Sequence, residues 1–139
     1  MFILDTHVLS ELLKPQPDGA VVAWVERQPR SQVFTTAIAQ AEIAYGMALL
    51  PKSALRQKLR DAALAIFDEE FADKVLPFDH RAAYRYGDIT ARRRAAGRPI
   101  SQLDAMIASI VHAHQGSLAT RNVKDFMEYE IDVVNPWGG

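Results

Sequence analysis

The sequence predicts an α/β fold in three layers, with a short central parallel sheet flanked by helices. Short apolar runs of strand length alternate along the chain with longer stretches of helical period, which is the arrangement of β-α-β units. These runs are apolar throughout, as is typical of parallel strands that are buried on both faces. The chain has 139 residues, of which 49% are hydrophobic and 24% charged, so it has enough apolar mass for one domain spanning residues 1–139.

Five short runs are predicted to be strands. The first run is continuously apolar and stops at an acid, and the second is β-branched and aromatic. The fourth follows a glycine, and the fifth precedes an Asn-Pro pair. The predicted strands are Met1–Leu4, Val33–Thr36, Val75–Leu76, Ser117–Thr120 and Ile131–Val134.

Six stretches of helical period lie between these strands. Proline or glycine follows most of them, and both residue types end helices. The predicted helical stretches are Val8–Leu13, Val21–Val25, Ala37–Leu50, Ser53–Glu69, Asp79–Ala96 and Gln102–Gln115.

Composition excludes several kinds of chemistry. The chain has no cysteine, which rules out disulfides, thiolate zinc sites, iron–sulfur clusters and a cysteine nucleophile. The formal charge of −1 gives no general preference for a polyanion. No segment reads as a targeting signal or as long and apolar enough to cross a membrane. We therefore expect a cytoplasmic protein without a membrane partner.

Polar side chains follow several of the predicted strands. Parallel strands end at one edge of their sheet, where loops and helix N-termini form sites. An acid at such a position can also be a helix cap, and the sequence from Ser101 to Asp104 resembles a capping box. Glu42 lies among core residues, where a lone carboxylate is costly unless it is neutralised. The candidate site residues near strand ends or helix starts are Asp5, Glu42, Asp104, Thr120, Asn122 and Asp125.

A divalent cation would relieve the repulsion between carboxylates gathered at this edge. Ligands that are all oxygen suit Mg²⁺ or Mn²⁺, and such an ion can activate water and align a phosphodiester. The sequence contains no Gly-rich phosphate loop, and no serine stands in a recognisable histidine–acid arrangement. The chemistry favoured is therefore phosphodiester hydrolysis.

The segment from Arg81 to Arg98 is rich in arginine and has one acid, Asp88. These cations either complement the C-terminal end of a solvated helix or form a phosphate-binding rim beside the acids. The residues we take as candidate RNA contacts are Arg92, Arg93, Arg94 and Arg98.

Four motifs in order resemble a PIN domain, in particular the VapC-type toxins of bacterial toxin–antitoxin pairs and their FitB-like branch. The opening FILDTHVLSEL resembles the first family motif, and TTAIAQAEIAYGMALL resembles the second. The segment ISQLDAMIASIVHAHQGSLATRNVKDF matches the third and fourth, and the ending VVNPW is typical of the branch. The resemblance covers essentially the whole chain.

The resemblance implies a cytosolic endoribonuclease that depends on Mg²⁺ or Mn²⁺. It also implies neutralisation by a small antitoxin protein, a homodimer, and binding to operator DNA only through the antitoxin. By the same resemblance, Asp5, Glu42 and Asp104 are metal ligands that activate the attacking water, and Thr6 and Thr120 support these carboxylates.

The chain departs from the family pattern at two positions. Asn122 stands where relatives often have a fourth acid, so Asp125 is the candidate for the missing carboxylate and one metal ion is expected. His7 stands where asparagine is usual. The alternative function is a non-catalytic PIN-like binding protein within a DNA-binding toxin–antitoxin complex.

An apolar stripe near the N-terminus offers a possible partner site. The residues of this stripe either pack inside the domain or line a groove for an antitoxin helix, together with a second stripe through Ile43 and Met47. The first stripe consists of Val21, Val22, Trp24 and Val25. A helix in such a groove could direct an arginine toward the acids.

Overall fold

A computed structural model describes residues 1–126 and 130–138 of the chain. The predicted architecture is confirmed, because five strands form one sheet with helices on both sides. The strands are β1 (Phe2–Leu4), β2 (Val33–Thr36), β3 (Val75–Leu76), β4 (Ser117–Ala119) and β5 (Asp132–Val134). The helices are α1 (Thr6–Leu13), α2 (Gly19–Arg27), α3 (Ala37–Ala48), α4 (Ala54–Ala65), α5 (His80–Ala95), α6 (Gln102–His114) and α7 (Val123–Phe126).

The sheet is parallel, with the strand order β3-β2-β1-β4-β5. The central strand β1 places Ile3 opposite Phe34 of β2 on one side and opposite Leu118 of β4 on the other. All five strands therefore end at the same edge of the sheet, and β1 ends in the middle of it.

Two hydrophobic clusters fill the space on the two sides of the sheet. Ile3 packs with Ile107 and Leu118 in the cluster formed with α5, α6 and α7. Leu4 packs with Val8 and Val21 in the cluster formed with α1, α2, α3 and α4. Successive residues of a strand point to opposite faces, so a strand covered on both faces has no polar alternation. This is the physical reason for the uninterrupted apolar run at the N-terminus.

A polar side chain caps the N-terminus of each of the six longer helices. Each cap accepts a hydrogen bond from a backbone N–H of the first turn, which would otherwise have no partner in the helix. The capping residues are Asp5, Asp18, Thr36, Ser53, Asp79 and Ser101, in the order α1 to α6.

The structure corrects the predicted helix Ser53–Glu69. The α-helical part ends at Ala65, and Ile66–Glu70 forms a π-helical turn. Phe67 in this turn and Phe71 directly after it are both buried, and their ring centroids lie 6.5 Å apart. The sequence also did not predict α7 or the 3₁₀ turn Arg30–Gln32, because elements of three or four residues are too short to show a period. Within the described residues, no helix is long and apolar enough to cross a membrane.

Candidate functional site

Asp5 lies at the carboxyl end of β1 and is buried, with 4% of its surface exposed. Its Oδ1 accepts a hydrogen bond from the backbone N–H of Thr6 at 2.8 Å, and its Oδ2 accepts one from Thr120 Oγ1 at 2.7 Å. The backbone N–H of Asp5 donates to the carbonyl of Ala119 at 2.9 Å. Donors on both carboxylate oxygens hold this side chain in one orientation.

Glu42 projects from α3, which begins at the end of β2. Its Oε1 accepts a hydrogen bond from Thr6 Oγ1 at 2.7 Å, so Thr6 contacts Glu42 through its hydroxyl and Asp5 through its backbone. Burial raises the pKa of Glu42, and the nearby carboxylates of Asp5 and Asp104 raise it further. The Thr6 hydroxyl and the His7 imidazole act in the opposite direction.

Asp104 is the third residue of α6 and is half-buried. Its backbone N–H donates to Ser101 Oγ at 3.3 Å, so Ser101 caps the helix as the capping-box pattern predicted. Burial raises the pKa of Asp104, with further increases from the negative charges of Asp5 and Asp125. A hydrogen bond with Ser101 and the nearby His7 oppose this rise.

The turn between β4 and α7 carries the remaining candidates. Thr120 Oγ1, which donates to Asp5, also accepts a hydrogen bond from the backbone N–H of Asn122 at 3.1 Å. Asp125 lies in α7, and its backbone N–H donates to the carbonyl of Asn122 at 3.1 Å. The Asp125 side chain is exposed, and its negative charge contributes to the raised pKa of Asp104. The structure therefore brings this turn to the same edge as the three other acids.

The charge of Asp5 raises the pKa of Glu42 and Asp104, but these side chains do not surround a common point. Among residues 1–126 and 130–138, no group of three or more His, Asp or Glu side chains is arranged to hold a metal ion. The donor set is nevertheless suited to a hard divalent cation, because it consists of carboxylate oxygens with amide and hydroxyl oxygens beside them. A cation among them would remove the repulsion that raises the pKa of Glu42 and Asp104.

The four candidate arginines lie at the C-terminal end of α5 and just beyond it. Arg92 forms an ion pair with Glu130 at 3.3 Å, and both side chains are largely exposed. Arg92 and Arg93 line a cavity of about 160 Å³ with His112, on the flank between α5 and α6. Arg94 is exposed in the last turn of α5, and the backbone N–H of Arg98 donates to the carbonyl of Arg93 at 2.9 Å. The structure does not gather all four around the acids.

The apolar stripe near the N-terminus is divided between the core and a groove. Val21 is buried, Trp24 packs edge-on against Phe2 with ring centroids 5.1 Å apart, and the stripe through Ile43 and Met47 belongs to the core. A groove of about 360 Å³ lies between α1, α2 and the π-helical turn. Its apolar lining residues are Leu12, Val22, Val25, Val33, Ile66 and Phe71.

Two residues received no role in the sequence prediction, although both lie in segments that carry the family resemblance: Arg121 and Trp137. The Arg121 guanidinium lies over the ring of Trp137, with Cζ 4.9 Å from the ring centroid. The available signals were the position of Arg121 between the candidates Thr120 and Asn122 and the position of Trp137 at the end of VVNPW, and neither indicates that the two side chains stack.

Comparison with known proteins shows similarity along the whole chain. The sequence profile of the PIN domain matches residues 2–130. A VapC ribonuclease from Sinorhizobium fredii is 36% identical over 137 residues, which cover 99% of this chain and 98% of that protein. The toxin FitB from Neisseria gonorrhoeae is 36% identical over 141 residues, which cover 99% of each chain.

Solved structures show the same similarity. The FitAB complex bound to a DNA fragment contains a chain with a TM-score of 0.92 and 34% identity, covering 100% of this chain and 97% of that one. The FitAcB crystal structure from Neisseria gonorrhoeae has a TM-score of 0.87 and 34% identity, covering 99% of both chains.

Proposed function

The chain belongs to the PIN domain family, and from that premise we propose that it is a metal-dependent endoribonuclease, the toxin of a toxin–antitoxin pair. One observation carries the proposal: Asp5, Glu42 and Asp104 are far apart in the sequence, yet the charge of Asp5 raises the pKa of both Glu42 and Asp104. The pKa values of Glu42 and Asp104 are raised by burial and by neighbouring carboxylates, which is a cost that a stability role alone would not require.

Asp5, Glu42 and Asp104 would hold one Mg²⁺ or Mn²⁺ ion. When bound, this ion would supply an activated water and align a phosphodiester for hydrolysis. Thr120 and Thr6 keep the carboxylates of Asp5 and Glu42 oriented, so little side-chain freedom is lost when the site is loaded.

Asn122 and Asp125 complete the outer side of the proposed site. Asn122 offers an amide oxygen without charge, and Asp125 offers an exposed carboxylate whose field reaches Asp104. With a neutral side chain at position 122, the inner ligand set has three negative charges, which suits one divalent ion better than two.

Arg92, Arg93, Arg94 and Arg98 are the proposed contacts to RNA phosphates along α5 and the loop after it. The ion pair between Arg92 and Glu130 is largely exposed, and such pairs contribute little, so Arg92 can exchange Glu130 for a phosphate. These contacts would bind RNA along the flank of the domain that Arg92 and Arg93 share with His112 of α6.

The test is cleavage of a panel of single-stranded and hairpin RNAs with Mg²⁺ or Mn²⁺. We expect cleavage to fall to background with EDTA and in the variants Asp5→Asn and Asp104→Asn. The variant Asp68→Asn, which changes an exposed acid outside the site, is the matched control and should cleave like the wild type. RNA cleavage that persists in EDTA and in both site variants would contradict the metal mechanism.

The groove between α1, α2 and the π-helical turn is the proposed binding site of a small antitoxin. Its apolar lining fits the apolar face of an amphipathic helix, and the similar FitAB and FitAcB structures are complexes. We propose that the protein acts in the cytoplasm as a homodimer and contacts operator DNA only through this antitoxin.

Co-expression with the product of the adjacent gene tests this partner. We expect a stable complex and relief of growth arrest, and weaker capture by Val22→Asp. Leu64→Asp, which changes an exposed apolar residue of α4 that does not line the groove, should behave like the wild type. Equal capture by both variants would place the antitoxin elsewhere.

The alternative function is a non-catalytic PIN-like protein that acts in a DNA-binding toxin–antitoxin complex. Asn122 favours it, because a site with one acid fewer holds metal more weakly. This alternative predicts little Mn²⁺ affinity by titration calorimetry and no RNA cleavage, whereas the metal mechanism predicts clear Mn²⁺ binding and cleavage.

A further inference from the structure

Arg121 is a cationic residue on the turn that follows β4, and its chain neighbours Thr120 and Asn122 are both residues of the candidate site. Thr120 Oγ1 donates to Asp5 at 2.7 Å and accepts from the backbone N–H of Asn122 at 3.1 Å. Both chain neighbours of Arg121 are therefore fixed by hydrogen bonds. The Arg121 side chain is exposed and rests on the Trp137 ring at 4.9 Å.

Trp137, on which this guanidinium stacks, is itself held in place by packing and hydrogen bonds. Its ring is half-buried and packs against the core cluster that contains Leu4 and Val8. Its backbone N–H donates to Asn135 Oδ1 at 2.9 Å, and the N–H of Gly138 donates to the carbonyl of Asn135 at 3.0 Å. The segment after β5 is thereby folded against the turn after β4.

The stacking leaves the donors of Arg121 available. A guanidinium that lies on an aromatic ring uses its flat face, whereas its N–H groups lie in its plane and can bind acceptors. Within the described parts of the chain, Arg121 has no carboxylate within ion-pair distance. Its charge reaches Glu11, but that carboxylate already accepts hydrogen bonds from Lys14 and from the N–H of Asp18.

We propose that Arg121, held in place by Trp137, binds a phosphate of the RNA at the edge of the acidic site. A phosphodiester that approaches Asp5, Glu42 and Asp104 is repelled by their charge, and a fixed cation one residue from Thr120 offsets this repulsion. Trp137 is a positioning residue, because it sets the direction of the Arg121 donors. This inference rests on the proposed function and adds a substrate contact that lies outside the arginine cluster of α5.

The test measures RNA binding separately from cleavage. A fluorescein-labelled single-stranded RNA with 2′-O-methyl riboses is titrated by anisotropy in EDTA over a range of KCl concentrations. For Arg121→Ala we expect an affinity about tenfold lower. We also expect the slope of log K against log salt to be shallower by about 0.7, the value for one lost contact to a single strand.

Matched variants distinguish a phosphate contact from a structural role. Arg121→Lys should restore most of the slope, because it keeps the charge. Trp137→Leu should weaken binding about threefold with little change of slope, and Trp137→Phe should bind like the wild type. Arg60→Ala removes an exposed arginine from α4 and should change neither quantity. Thermal melting of each variant separates loss of the contact from loss of the fold.

An unchanged slope and affinity in Arg121→Ala, in a protein whose wild type cleaves RNA with Mn²⁺, would overturn this inference and leave the proposed function standing. A reduced affinity that is matched by Arg60→Ala would also overturn it, because the effect would then come from net charge. A wild-type protein that neither binds nor cleaves RNA would overturn both the inference and the proposed function.

Discussion

Thr120 Oγ1 donates a hydrogen bond of 2.7 Å to Asp5 Oδ2, although 115 positions separate the two residues in the chain. Both side chains are buried, and they stand at the ends of the neighbouring strands β4 and β1. This single hydrogen bond therefore joins two strand ends and also orients a carboxylate of the candidate site.

Loss of this hydroxyl should destabilise the fold. Thr120→Val keeps the shape of the side chain but leaves a buried carboxylate oxygen without its donor. We expect the free energy of unfolding to fall by about 1–3 kcal/mol in urea denaturation at pH 7. Thr120→Ser retains the hydroxyl and should lose less than half as much. A Thr120→Val variant as stable as the wild type would show that solvent replaces the donor.

Loss of the second hydroxyl should change the titration of Glu42. The hydrogen bond from Thr6 lowers the pKa of Glu42 against the effect of burial, so Thr6→Val should raise this pKa further. The measurement is carbon-13 NMR titration of the Glu42 carboxyl carbon in metal-free protein. Thr6→Ser is the control and should leave the value near that of the wild type. A pKa that falls in Thr6→Val would contradict the role given to this bond.

The raised pKa of Glu42 also predicts a change of stability with pH. The folded protein binds more protons than the unfolded chain between the ordinary and the raised pKa, so the free energy of unfolding falls as pH rises through this window. We therefore expect metal-free Glu42→Gln to be more stable than the wild type at pH 7. The difference should disappear near pH ~3, where the carboxyl is protonated in both states.

Urea denaturation at the two pH values measures this difference. Glu26→Gln removes an exposed acid from α2 and serves as the control, with no gain expected. A Glu42→Gln variant that is less stable than the wild type at pH 7 would mean that the charge of Glu42 stabilises the empty site.

Divalent cations should stabilise the folded protein if the acids bind them. At a free Mn²⁺ concentration about 100-fold above Kd, binding contributes about 2.7 kcal/mol, which appears as a higher Tm than in EDTA. Asp104→Asn should lose most of this increase, whereas Asp61→Asn on α4 should keep it. An equal increase in both variants would place the cation outside the candidate site.

Two glycines should respond in opposite directions to alanine. A Cβ at Gly116 would lie 2.9 Å from Cδ1 of the fully buried Ile3, so Gly116→Ala should cost about 1–3 kcal/mol of stability. At Gly87, inside α5, a Cβ would meet nothing within 4 Å, so Gly87→Ala should add about 0.5–1 kcal/mol. Urea denaturation measures both changes. Equal effects would contradict the close approach of Gly116 to Ile3.

The local parts of the fold were predictable because each depends on neighbouring residues. The apolar run ending at Leu4, the end of the helical stretch Asp79–Ala96 and the cap at Ser101 can each be predicted from a few neighbouring positions, and the structure agrees with them to within one or two residues. The π-helical turn Ile66–Glu70 was not predictable, because the burial of Phe67 and Phe71 that accompanies it depends on tertiary packing.

The side of the sheet on which the candidate acids lie was predictable, but the contacts around them were not. Placing Asp5, Glu42 and Asp104 at one edge needs only parallel strands, which the apolar runs indicated. The contact of Thr120 with Asp5 requires β4 to lie beside β1. No local sequence pattern determines the order of the strands in the sheet. The stacking of Arg121 on Trp137 depends in the same way on the pairing of β4 with β5.

The strand order also has a consequence for the time course of synthesis. The strand made first, β1, lies in the middle of the sheet, and its neighbour β4 is made only at residues 117–119. On the ribosome, one edge of β1 therefore stays unpaired until residues 117–119 have been made, and the carboxylate of Asp5 lacks the hydrogen bond from Thr120 until then. The hydrogen bond that orients Asp5 forms only after Thr120 has emerged, so shorter nascent chains contain the first acid of the candidate site without its final geometry.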